Sequence, residues 1–135
     1  MSWKKIAPGV LLLLWLGTVT SLSLLPVSSI PLARSLWDKL EHASAYGMLT
    51  LLGGWVLSRY LTPAWRAWLL AALGAVSYGA LMEGAQALCH SGRHAERGDI
   101  VANAVGAGAV LLAYLTARLL AGLWGVVGDR KERHG

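Results

Sequence analysis

Charge is scarce in this chain. Asp, Glu, Lys and Arg make up 14% of its 135 residues, while 56% are hydrophobic. A soluble domain carries about 25% charged residues. The deficit excludes an ordinary globular surface and fits a chain dissolved in lipid. Cysteine is nearly absent. Cys89 stands alone, which excludes an intrachain disulfide and any multi-cysteine metal site. It lies in apolar to weakly polar surroundings and reads as an inert helix-end residue. The chain has no Gly-x-Ser-x-Gly, no His-Glu-x-x-His and no phosphate-binding glycine loop, so the reactions those motifs serve find no support. Tandem repeats and low-complexity tracts are missing too.

What is present is a set of long apolar runs. They predict an all-α, polytopic integral membrane protein: one domain over residues 1–135, a bundle of four transmembrane helices at about 6–25, 38–61, 65–88 and 99–127. A bilayer core needs about 20 residues per crossing. The first run exceeds the roughly 7–15 apolar residues of a signal peptide, so it reads as a helix. Pro26 and Pro31 break the chain after it, and Thr62-Pro63 closes the second helix. A polar loop over 89–98 separates the third from the fourth, and a solvated tail follows from Asp129.

The net charge of +5 does not mark a nucleic-acid partner. The basic residues lie beside apolar runs, where anionic lipid and topology account for them. Lys4, Lys5, Arg59, Arg66, Arg118, Arg130, Lys131 and Arg133 fall on one side; Arg34, Lys39, Arg93 and Arg97 fall on the other. Eight against four places both termini in the cytoplasm. Trp3, Trp37, Trp65, Trp68 and Trp124 lie near helix ends, where amphipathic rings sit at the membrane interface.

With that topology the polar residues gather at the outer side. Asp38, His42 and Tyr46 are spaced by four and share a helical face, as do Glu83 with Gln86 and Asp99 with Asn103 and Gly106. Glu83 is the only acid between Ala43 and Cys89. A carboxyl at that depth calls for a partner, with Arg93, Arg97 or His42 as candidates. Each aspartate also has a plain structural reading. Asp38 followed by Glu41 resembles a capping box, and Asp99 can cap the fourth helix. Asn103 can simply bond a neighbouring helix, and Tyr46 can be an interfacial aromatic. The small-residue pairs Ala80/Gly84 and Ala102/Gly106 predict contact between the third and fourth helices, bringing Glu83 and Asn103 within reach of each other.

The pattern Asp38-Lys39-x-x-His42-x-x-x-Tyr46-Gly47, Glu83-x-x-Gln86, Gly92-Arg93 and Asp99-x-x-x-Asn103-x-x-Gly106 resembles the VanZ-like family of bacterial membrane proteins. The likeness spans about residues 37–115. It leaves the first helix without a distinctive residue, and does not account for Arg97, His90 or His94. It implies a bacterial cytoplasmic membrane and a small helical bundle. The family's founding members are associated with low-level resistance to the glycopeptide teicoplanin.

Four functions remain open. The first is an outward-facing site for the head group of an envelope lipid or lipid-linked cell-wall glycan, with Arg93, Lys39, Tyr46, Gln86 and Asn103 as binding residues. Arginine's planar fork suits an anionic head group. The second is a membrane-embedded hydrolase or transferase. There His42 is base or nucleophile, Asp38 or Glu83 orients it, Arg93 stabilises developing charge, and Asp99 or Glu83 is the complementary acid. The third is a zinc or manganese site drawn from Asp38, His42, Glu83, His90 and Asp99. The fourth is a structural network that serves a protein partner. No cofactor is specified by the sequence.

Overall fold

A computed structural model describes residues 3–24, 34–88 and 97–133. They form four helices: α1 (Trp3–Leu24), α2 (Arg34–Leu57), α3 (Ala64–Leu88) and α4 (Arg97–Arg133). The described residues contain no strand. Over Ile6–Leu24, Ala64–Leu88 and Arg97–Leu123, helices α1, α3 and α4 are long and apolar enough to cross a membrane. The remaining helix, α2, is not among them, because Arg34, Asp38, Lys39 and Glu41 crowd its first two turns.

Several boundaries differ from expectation. The second helix starts at Arg34 rather than Asp38, so Asp38 lies in its second turn and is not a cap. Nothing between Arg34 and Asp38 obliges a helix to stop, and the helix runs back through them. At its other end α2 stops at Leu57 rather than Leu61. Arg59 and Tyr60 donate to Val56 and Leu57 in three-residue steps ahead of Pro63, the tightening common at helix ends. The fourth helix starts at Arg97, which places Asp99 inside the first turn, not at the cap. Its 37 residues make a rod of about 55 Å. The helix runs on past its expected end at about residue 127 as far as Arg133.

Side-chain pairings fix the helix directions. Tyr46 packs on Tyr78, and Gly53 and Gly54 face Ala71 and Trp68; α2 and α3 are antiparallel. Lys39 reaches Gly98, His42 meets Asn103, and Gly47 faces Gly106, so α2 and α4 are parallel. Thr20 bonds Tyr78 and Ser23 bonds Gln86, so α1 runs with α3. Helix α2 touches all the others, whereas α1 meets α2 and α3 but not α4 among the described residues.

The packing is small-inside and large-outside. Ala67, Ala71, Ala72, Ala75, Ala102 and Ala107 are buried, as are Gly47, Gly79 and Gly106. Leu13, Leu14, Leu73, Leu112 and Leu119 are exposed. Lipid tails are as apolar as leucine, so helices in lipid associate through close backbone packing. A water-soluble bundle would reverse this distribution. Val19, Tyr46 and Leu49 join Ala72, Ala75 and Ala107 in a core to which every helix contributes.

The contact expected between α3 and α4 exists, but through other residues. Gly84 has open space beside it and Ala80 is exposed. Gly106 packs against α2, where a Cβ would overlap the carbonyl of Ala43. The α3–α4 contact forms at Gly79, whose Cβ position lies 2.5 Å from Asn103 Nδ2.

Candidate ligand-binding site at one end of the bundle

The alternating directions bring the C-terminal ends of α1 and α3 to the same end as the N-terminal ends of α2 and α4. The four-residue spacing of Asp38 and His42 turns both toward the start of α4. There Asp99 is buried in the first turn, where the helix dipole favours a carboxylate. Potential ligand atoms of Asp38, His42 and Asp99 all lie within 4.8 Å of one another. Two carboxylate charges so placed repel by roughly 3 kcal/mol at an effective dielectric of about 20. The cluster therefore favours positive charge in its midst, such as a cationic group or a metal ion.

Asn103, one turn beyond Asp99, is fully buried. His42 Nδ1–H donates to Asn103 Oδ1 at 3.0 Å. This bond selects the tautomer whose Nε2 carries the lone pair. The imidazole is also held from below by Tyr46, whose ring lies nearly parallel to it at 6.3 Å between centroids. Asn103 is held in turn by Gly79, which leaves room for its amide.

The other expected site residues divide. Lys39 is half-buried, its aliphatic end against Gly98 at the start of α4. Glu83 is 3% exposed on the buried face of α3, one turn from Gly79. The polar partner of His42 on α4 is Asn103. Gln86, expected to bind substrate, is buried and donates to the Ser23 carbonyl at 2.7 Å; its amide ties α3 to α1. Arg97 is exposed at the start of α4. Arg93, together with Cys89, His90, His94 and Glu96, lies outside the described residues.

The first helix, without a distinctive residue in the sequence, contributes to the site. Trp15 Nε1 donates to the Ala45 carbonyl at 2.9 Å, and Thr20 and Tyr78 share a hydrogen bond. Together α1 and α2 enclose a cleft of about 550 Å³. Trp15, Val19, Leu22 and Met48 form its apolar wall, and Asp38, Glu41 and His42 supply its carboxyl and imidazole groups. The available signal was the run of hydroxyls Thr18, Thr20, Ser21 and Ser23 late in an otherwise apolar helix. The chain was compared with family models, curated proteins and solved structures, and nothing matches it.

Proposed function

We propose that this chain is a four-span protein of a bacterial cytoplasmic membrane. Its outward-facing end binds the head group of an envelope lipid or lipid-linked glycan. The observation that carries this reading is the α1–α2 cleft. An apolar wall leads to a polar end where Asp38 and His42 meet Asp99, a shape suited to an amphiphile.

Helix directions support the fourth crossing. α1 and α3 run the same way, so a chain crossing the bilayer in both must return between them. Helix α2 is antiparallel to each and packed on each. Its 24 residues span about 36 Å, enough for a bilayer core of about 30 Å. The excess of basic residues on the termini's side supports an outward-facing site. A cysteine introduced in segment 92–98 is then expected to react with an impermeant maleimide added to intact cells. Labelling only after the inner face is opened overturns the orientation.

Resemblance to VanZ-like proteins, whose founding members are associated with glycopeptide resistance, fits a role in the cell envelope. The cleft wall gives a direct test. Detergent-purified protein is expected to retain one polar lipid class in native mass spectrometry. Val19→Trp, which fills the cleft, should displace it. Identical, unselective lipid in both proteins overturns the reading. A catalytic variant of the reading is favoured by the His42–Asn103 bond, since an oriented Nε2 lone pair is what a general base needs. In that case His42→Ala retains the lipid but stops its conversion.

A further inference from the structure

We propose that Asp38, His42 and Asp99 form a binding site for a divalent transition-metal ion, zinc by preference, with an open coordination position facing the α1–α2 cleft. The donor set is two carboxylates and one imidazole. An imidazole nitrogen selects against calcium and magnesium, which take oxygen ligands, and favours zinc or manganese.

The placement is that of a prepared site. Asp38 and His42 stand one turn apart on α2, and Asp99 comes from the first turn of α4. The register between these helices is locked one to two turns deeper, where Gly106 abuts the Ala43 carbonyl. Ligands about 2.0–2.2 Å from a tetrahedral ion stand about 3.4 Å from one another. The three donors already lie within 4.8 Å of one another, so a bound ion has to draw them together only slightly. Two further features point to a ligand. Asn103 is fully buried and accepts from Nδ1–H, which leaves Nε2 to bind. Metal-ligating histidines are typically oriented by just such an outer partner. Asp38 and His42 also line the cleft, so an exogenous ligand can approach the ion from there.

A metal with three protein ligands offers a vacant position that attracts a phosphate. The metal site does not depend on the lipid reading, and its test uses zinc alone.

The full chain, purified in detergent without a polyhistidine tag and stripped with chelator, is titrated with zinc by calorimetry. Bound metal is then counted by mass spectrometry. One zinc per chain is expected, together with a higher thermal midpoint. His42→Gln and Asp99→Asn are each expected to lose at least about tenfold in affinity, and Asn103→Ala about 10–100-fold. His134→Gln, at the C-terminal end, is expected to bind as the parent does. Should the buried Asp99→Asn variant fail to fold, Asp38→Asn at the half-buried ligand takes its place. No stoichiometric zinc in the parent overturns the proposal. So does zinc whose affinity is indifferent to all three ligands, which would assign it to other histidines. A retained lipid with no zinc site would leave the head-group reading standing and remove this one.

Discussion

Gly106→Ala is expected to lose most of the folded bundle, and Gly106→Val all of it, while Gly108→Ala two residues away is tolerated. A Cβ on residue 106 meets the backbone carbonyl of Ala43 at overlapping distance, with the Ala43 Cα close behind. A flexible side chain could swing aside; a helix backbone cannot. α2 and α4 must therefore separate along their shared interface. Ordinary overpacking of a core costs about 1–3 kcal/mol, occasionally more. Here the rigid obstacle places the cost at or above the top of that range. Against a total stability of about 5–15 kcal/mol, such a loss depletes the folded population.

Gly108 faces open space and is exposed. Alanine there removes about 0.5–1 kcal/mol of helix penalty. Unfolding followed by circular dichroism in detergent separates the two cases. Equal midpoints for Gly106→Ala and Gly108→Ala would mean that α2 and α4 do not meet as described. The consequence reaches the site, because Ala43 follows His42 and Gly106 lies one turn below Asn103. Prising apart this contact also parts the His42–Asn103 pair.

Much of this arrangement was legible in the residues, but unevenly. The four-residue spacing of Asp38, His42 and Tyr46, and of Asp99 and Asn103, correctly placed each group on one helical face. That the two faces meet followed from the alternation of helices. Periodicity assigns a face, however, and not a partner. Gly106 could be foreseen as a close-packing residue, yet its neighbour is α2 rather than α3. The choice depends on where every other helix stands.

Helix starts were obscured for a different reason. Asp38 and Asp99 have the chemistry of caps, and residue type alone does not tell a cap from a residue one or two turns inside. The structure places Asp38 in the second turn of α2 and Asp99 in the first turn of α4. The share of α1 in the cleft was the least visible feature. Hydroxyls that bond their own helix, as Thr18 and Thr20 do with Leu14 and Leu16, carry no sequence mark of the tertiary role that Thr20 also has.

Asn103 carries the second large expected effect, on function more than on stability. Asn103→Leu keeps the volume of a fully buried side chain and removes only its polar end. The histidine loses the acceptor of its Nδ1 proton. Leaving a buried donor unsatisfied costs about 1–3 kcal/mol. His42 is only half-buried on the cleft wall, so water can take the acceptor's place and the loss of stability falls at the low end. The imidazole itself is then free to rotate and to exchange its proton between nitrogens.

Nitrogen NMR of histidine-labelled protein, with the His42 signal assigned by its substitution, is expected to show the Nδ1–H tautomer in the parent and a mixture in Asn103→Leu. Lipid retention should fall along with it, although the protein still inserts and folds. Gly79→Ala approaches the same result from the other side. Its Cβ would stand 2.5 Å from Asn103 Nδ2 and 3.1 Å from Tyr46 Cε1, pushing at the amide that orients the ring and at the tyrosine beneath it. A tautomer and a lipid affinity that survive both substitutions would reduce Asn103 to a packing residue. Loss of both, in two variants that alter different helices and share only that amide, would identify the His42–Asn103 bond as what prepares the site.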